Sequence, residues 1–156
     1  MTKTITVSDE KDKSNKIQIK TFEGEVLFES ERKTIKEAVE EAVSKNIRLV
    51  GADLSNTDLS NANLRNAELS VADFRNSDLS NADFSNADLE CADFRGSDLR
   101  NANFSKADLI GAYLGKSNLS GADLQNTRFY GKGGTTTIEE NQIDDFLTAL
   151  GVVVEG

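Results

Sequence analysis

Apolar residues follow three different spacings along this chain. In the middle stretch every fifth residue from Leu54 to Phe129 is Leu or Phe, sixteen positions without a gap. Two residues before each of them stands Ala, Ser or Thr. A helix repeats every ~3.6 residues and a strand every ~2, so a strict period of five would spiral around the one and change faces on the other. Such a register predicts a repeat architecture, in which no unit buries its own apolar group and stacked neighbours supply the core. A second period lies on top of the first. Thr57, Ser77, Ser97 and Ser117 carry a hydroxyl at the small position and lie twenty residues apart. Phe74 and Phe94 share that spacing, as do Phe84 and Phe104, with the two pairs offset by ten. Together these predict a twenty-residue coil of four units, with a column of hydroxyls and alternating Phe and Leu filling the interior without voids.

The flanks obey other rules. Residues 1–15 are polar and read as a flexible tail. In residues 16–46, Lys16 to Thr21 alternates as a strand, Phe22-Glu-Gly-Glu supplies a turn, and Val26 to Phe28 returns. Thr34 followed by Glu37 makes a capping box, and Ile35, Ala38, Val39, Ala42 and Val43 form one helical face that ends at Asn46. Ile47 and Leu49 begin a weaker seventeenth unit, so the tower spans residues 47–131. Gly131-Lys-Gly-Gly then breaks the register. In residues 132–156, Thr137 is the expected cap of a second helix, whose apolar face is Ile143, Phe146, Leu147 and Leu150. A solenoid leaves unpaired backbone and apolar groups at both ends, so each flank is expected to cap one end. The C-terminal face fits either a cap over the last coil or a homodimer contact.

The unit Ala-Asp-Leu-Ser-Asn, as in Ala52 to Asn56, resembles the pentapeptide-repeat family. The resemblance implies an all-β solenoid: a right-handed quadrilateral β-helix of about four coils, with the Leu/Phe centres and small residues inward. At ~4.8 Å per coil the tower would stand about 20 Å tall. The resemblance also implies a bacterial or phage-like, cytoplasmic protein without enzymatic activity. Some members mimic a DNA duplex and bind DNA gyrase in its place. The repeats here run without the loop insertion of the more elaborate gyrase-protecting members, and Arg65, Arg75, Arg95 and Arg100 interrupt the acidic columns.

Charge narrows the partners. The net charge is −9, of which −4 belongs to residues 47–131 and −4 to residues 132–156. That balance disfavours direct nucleic-acid binding, which needs a basic surface. No apolar run suits a membrane span or a signal peptide, and one cysteine permits no internal disulfide. Histidine is absent, which removes the commonest general base and metal ligand. With no triad, metal cluster or phosphate loop either, no catalytic, metal or cofactor site is expected.

Three surface features remain. The position before each centre is acidic in eleven of sixteen units, stacking Asp53, Asp73 and Asp93 in one column and Asp58, Asp78 and Asp98 in the next. One such row offers too few oxygens for a calcium cage, so hydrated carboxylates bonded to nearby Ser and Asn are expected. Asn61, Asn81 and Asn101 stack as a structural amide ladder. Finally, Val71, Cys91, Ile110, Tyr113 and Tyr130 replace polar residues and fold onto one corner. A clustered apolar patch marks a covered or a binding surface. Here the cover would be the C-terminal segment and the alternative is an unknown protein partner. The expected function is a structural or protein-interaction module, with a DNA-mimicking topoisomerase modulator as the alternative.

Overall fold

A computed structural model describes residues 16–131, 134–135, 143 and 146–147. Within each five-residue unit the backbone takes one extended step and then turns. The centre's carbonyl accepts from the amide three residues on, as in Ala62 N–H to Leu59 O at 3.0 Å and Ala82 N–H to Leu79 O at 3.0 Å. The third residue of that turn sits in the left-handed region: φ is 57° at Asn61, 58° at Asn81 and 58° at Asn126. A turn of this kind calls for Gly or Asn at that position. The extended step plus the turn explains why the period is five.

Units twenty residues apart pair in parallel, from Asp53 with Asp73 down to Asp108 with Arg128. Each contact uses amides in both directions: Leu54 N–H donates to Asp73 O at 2.8 Å, and Asp73 N–H to Ala52 O at 2.9 Å. A third bond joins the corners, as in Asn56 N–H to Arg75 O at 2.9 Å. The chain is therefore a β-solenoid with four units in each ladder repeat, as the superposed periods predict. Leu49 donates to Glu68 O at 2.9 Å in the same pattern, so the weaker seventeenth unit joins the ladder.

The interior follows the small-residue and centre positions, and every Leu centre from Leu54 to Leu124 is buried. Phe74 stacks on Phe94 with centroids 5.0 Å apart and planes 4° from parallel, and Phe84 stacks on Phe104 at 5.0 Å and 2°. The two stacks meet edge to face at 5.7–5.8 Å, a favoured arrangement for the ring quadrupoles. The buried hydroxyl column satisfies itself against the turns. Thr57 Oγ1 donates to Leu54 O at 2.6 Å, Ser77 Oγ to the same carbonyl at 2.8 Å, and Ser97 Oγ to Phe94 O at 2.7 Å.

Before the tower, β1 (Ile17–Lys20) and β2 (Val26–Ser30) pair antiparallel, and α1 (Ile35–Ser44) follows. The capping box is present: Thr34 Oγ1 accepts from Glu37 N–H at 3.2 Å, and Glu37 accepts from Thr34 N–H at 3.3 Å. β2 runs two residues past the expected Phe28, because Glu29 and Ser30 pair with Gln18 and Ile17 of β1; buried Ser30 Oγ also donates to Glu41 of α1 at 2.6 Å. The hairpin joins the first coil through Asp53 N–H to Lys20 O at 2.8 Å. α1 joins it through Lys36 Nζ to Ser60 O at 2.8 Å and Asn63 N–H to Glu40 at 2.9 Å. After the tower, β3 (Tyr130–Gly131) pairs with β4 (Gly134–Thr135). Phe146 then packs edge to face on Phe129, the last centre, at 5.1 Å. The expected tail of residues 1–15, the cap residue Thr137 and Leu150 of the C-terminal apolar face lie outside the described residues.

Candidate interaction surface

The acidic columns are built from one repeated turn. Each aspartate's Oδ1 accepts the amide two residues on, as at Asp58 to Ser60 at 3.0 Å and Asp78 to Ser80 at 3.0 Å. At Ser55, Ser60 and Ser80 the hydroxyl of that residue donates to the same oxygen at 2.6–2.7 Å, whereas the buried Ser85 hydroxyl finds no partner among the described residues. Where it is Arg, the guanidinium clamps the carboxylate with Nε and Nη2, as at Asp73 with Arg75, Asp93 with Arg95 and Asp98 with Arg100. Arg65 reaches Asp83 at 3.0 Å and Arg128 reaches Asp108 at 2.7 Å. The hydrogen bonds from Arg100 hold Asp98 below the usual carboxylate range. At Asp93 burial pushes the carboxyl up, but the bonds and charge of Arg95 outweigh it and the net direction is down. Asp58 is lowered by the Ser60 hydroxyl and amide. No group of His, Cys, Asp and Glu that could hold a metal ion occurs among the described residues. No described helix is long and apolar enough to cross a membrane.

A groove of about 590 Å³ runs between α1 and the first coil, lined among others by Glu40, Val43, Ile47, Arg65 and Glu68. Its charges are engaged elsewhere: Glu40 holds the Asn63 amide, Arg65 holds Asp83, and Glu68 pairs with Arg48 at 2.6 Å. Its one hydroxyl, that of Ser44, donates to Glu41 O at 2.8 Å.

The irregular corner is partly as expected. Val71 and Cys91 are stacked at the left-handed turn position, with φ of 61° and 58°. Val71 is 60% exposed, and Cys91 is half-buried. Tyr113 is 47% exposed and lies under the Arg95 guanidinium, 5.6 Å from the ring centre. Ile110 departs from the expected patch: it retains only 4% of its surface. The same slot, the second residue of the turn, is buried at Ser55 and Ser85 but exposed at Arg65, Arg95 and Arg100, so the burial of Ile110 is not a property of the slot. The side chain of Tyr130 is outside the described residues. The exposed corner is thus Val71, Cys91 and Tyr113, with Ile110 beneath it; Cys91 N–H donates to Ile110 O at 2.8 Å. At the C-terminal end Ile143 is exposed, while Phe146 and Leu147 are half-buried. Sequence reasoning missed Arg95 as the partner of Tyr113. It also missed the exposure of Val26, which fits the pattern of a packed strand pair, and left the exposure of Phe22 in the turn unremarked.

The model of the pentapeptide repeats matches residues 47–86, 67–105, 77–115 and 102–131, in eight copies. The chain belongs to the pentapeptide-repeat family. Among solved structures it is similar to the pentapeptide-repeat protein Rfr23 of the cyanobacterium Cyanothece 51142. Identity there is 33% and the TM-score 0.56, over 61% of this chain and 62% of that one. The chain therefore spans less than two thirds of that relative. A pentapeptide-repeat protein of Nostoc Pcc 7120 is 34% identical over 56% of this chain and 80% of its own, with a TM-score of 0.24. QnrB1, a plasmid-mediated fluoroquinolone resistance protein, is 20% identical over 67% of this chain and 68% of its own, with a TM-score of 0.26. Superpositions that loose carry no functional argument. No curated protein matches the chain in sequence. In this pentapeptide-repeat protein the left-handed turn position is held by Asn or Gly in most units and by Lys at Lys106 and Lys116, which makes Val71 and Cys91 the apolar departures.

Proposed function

We propose that this chain is a non-enzymatic protein-interaction module. Its scaffold would be a right-handed quadrilateral β-helix of about four coils, capped by the hairpin and α1 at one end and by the C-terminal segment at the other. The observation that carries this reading is Val71. A β-branched residue in the left-handed region is strained, and one left mostly in water gains little packing to offset the strain. Strain that the monomer does not use is most often kept for contact with something else. Tyr113, two coils further along the same ladder and under Arg95, adds an aromatic anchor of the type that dominates protein interfaces.

The DNA-mimic alternative draws less support. A mimic needs rows of uncompensated negative charge, whereas Asp73, Asp83, Asp93, Asp98 and Asp108 each hold an arginine. The test is affinity capture from the native host with the wild-type chain and with a Val71→Asn/Tyr113→Ser variant. A partner retained by the first and lost by the second, with no drop in melting temperature, is the expected result. Identical captures by both, or protection of DNA gyrase at micromolar protein in a supercoiling assay, would overturn the corner-contact reading.

A further inference from the structure

The N-terminal hairpin carries an open strand edge. Among the described residues, β2 pairs with β1 alone, and no backbone bond joins Val26–Ser30 to any other element. In a strand, alternate residues send their N–H and C=O groups to opposite sides, so half of the β2 backbone groups face outward without a strand partner among the described residues. Proteins usually protect such an edge with Lys, Pro, a cover or extreme shortness. Here residues 22–31 contain neither Lys, Arg nor Pro. Two apolar side chains of the hairpin are exposed: Phe22 in the turn at 77% and Val26, the first residue of β2, at 43%.

Charge selects the occupant. Glu23, Glu25, Glu29 and Glu31 all lie on or beside β2. The ion pairs described nearby join Glu41 to Arg32 and Lys45 and include none of these four. Gln18 Nε2, a neutral amide, donates to Glu29 at 2.6 Å. Pairing β2 with β2 of a second copy would set these carboxylates against one another, and like charges facing across a strand pair are destabilising. The same row would attract lysines or arginines on an incoming strand.

We propose that β2 is a docking edge for an extended, basic and apolar segment of another protein, which adds as a third strand to the hairpin. Main-chain bonds to the outward groups of Val26–Ser30 would give the affinity. Glutamates 23, 25, 29 and 31 would give the preference for Lys or Arg. This inference rests on the interaction-module reading but uses a different surface from the Val71 corner, so the two can fail separately.

The probe is a synthetic Lys-Val-Lys-Ile-Lys-Val-Lys peptide titrated into the full chain, followed by amide NMR and hydrogen exchange. The expected result is slowed exchange at alternate amides of Val26–Ser30. Affinity should fall at least tenfold in a Glu25→Gln/Glu29→Gln/Glu31→Gln variant and with the peptide's Ile replaced by Pro. Absence of binding at millimolar peptide overturns the proposal. So does equal binding of a Glu-Val-Glu-Ile-Glu-Val-Glu peptide, or perturbation confined to the acidic tower faces. In each of these cases a partner lost with Val71→Asn/Tyr113→Ser would still leave the module reading standing.

Discussion

Replacing Val71 with Asn should stabilise the protein. Val71 holds φ at 61°, the value that Asn61, Asn66 and Asn76 hold at 57–58° in equivalent turns. For a residue with a Cβ the left-handed region costs roughly 1–2 kcal/mol, and a β-branched side chain lies at the upper end while Asn is tolerated there. Against this stands the packing that Val71 loses. It is 60% exposed, so about two fifths of its surface is covered. Full burial of a Val is worth about 1.5–2 kcal/mol, which puts roughly 0.6–0.8 kcal/mol at risk. The balance favours Asn by about 0.5–1 kcal/mol, or a rise of roughly 1–4 °C in melting temperature for a chain of this size. The mirror substitution is Asn86→Val, at an exposed turn position with φ of 59°. It should cost about 1–2 kcal/mol. Urea denaturation read by circular dichroism measures both, with unchanged slopes showing that only stability moved. If Val71→Asn gives no gain and Asn86→Val costs nothing, the left-handed turn does not govern this position, and the strain argument for a contact at the corner falls with it.

Three further outcomes follow from the same geometry. Phe84 touches Phe74, Phe94 and Phe104, so Phe84→Ala should cost about 3–5 kcal/mol in denaturant melts, and Phe84→Leu well under half of that. Glu41 is held down to about 2 from 4.5, first by the Lys45 hydrogen bond and then by that of Ser30. A carboxyl depressed in the folded state stabilises it above its unfolded value and loses that effect as pH falls. Melting temperature should therefore decline as pH drops from 4.5 toward 2, and less steeply in Glu41→Gln; equal slopes in both proteins would remove Glu41 from the acid response. Phe146→Ser should loosen the packing on Phe129 and lower stability by roughly 1–2 kcal/mol; an unchanged melt would show that the C-terminal segment does not cap the tower.

Much of this molecule was readable from its residues because its order is one-dimensional. A unit that bonds only to the units twenty residues before and after it must repeat its side chains at those intervals. The Phe pairs, the hydroxyl column and the capping box of Thr34 and Glu37 could therefore be placed from spacing alone. The Asn columns were placed correctly as well, but their reason was not visible. Asn101 reaches Asn81 only at 3.4 Å, and the amides are there chiefly because φ near +57° suits them.

What the tertiary structure decided concerns orientation, which periodicity does not encode. The period places Ile110 at a turn position that is exposed at Arg65, Arg95 and Arg100, yet the Ile110 side chain is buried. Arg75, Arg95 and Arg100 looked like diluents of the acidic columns, but their reach back onto the aspartate two residues earlier depends on the turn bringing the two side chains together. The open edge of β2 is likewise invisible in a strand pattern, because alternation reports which face is apolar and not whether a neighbour follows. The five-residue register by itself determined the solenoid. Which of its side chains face water, and with which charges, was settled only by the folding of each turn against the next.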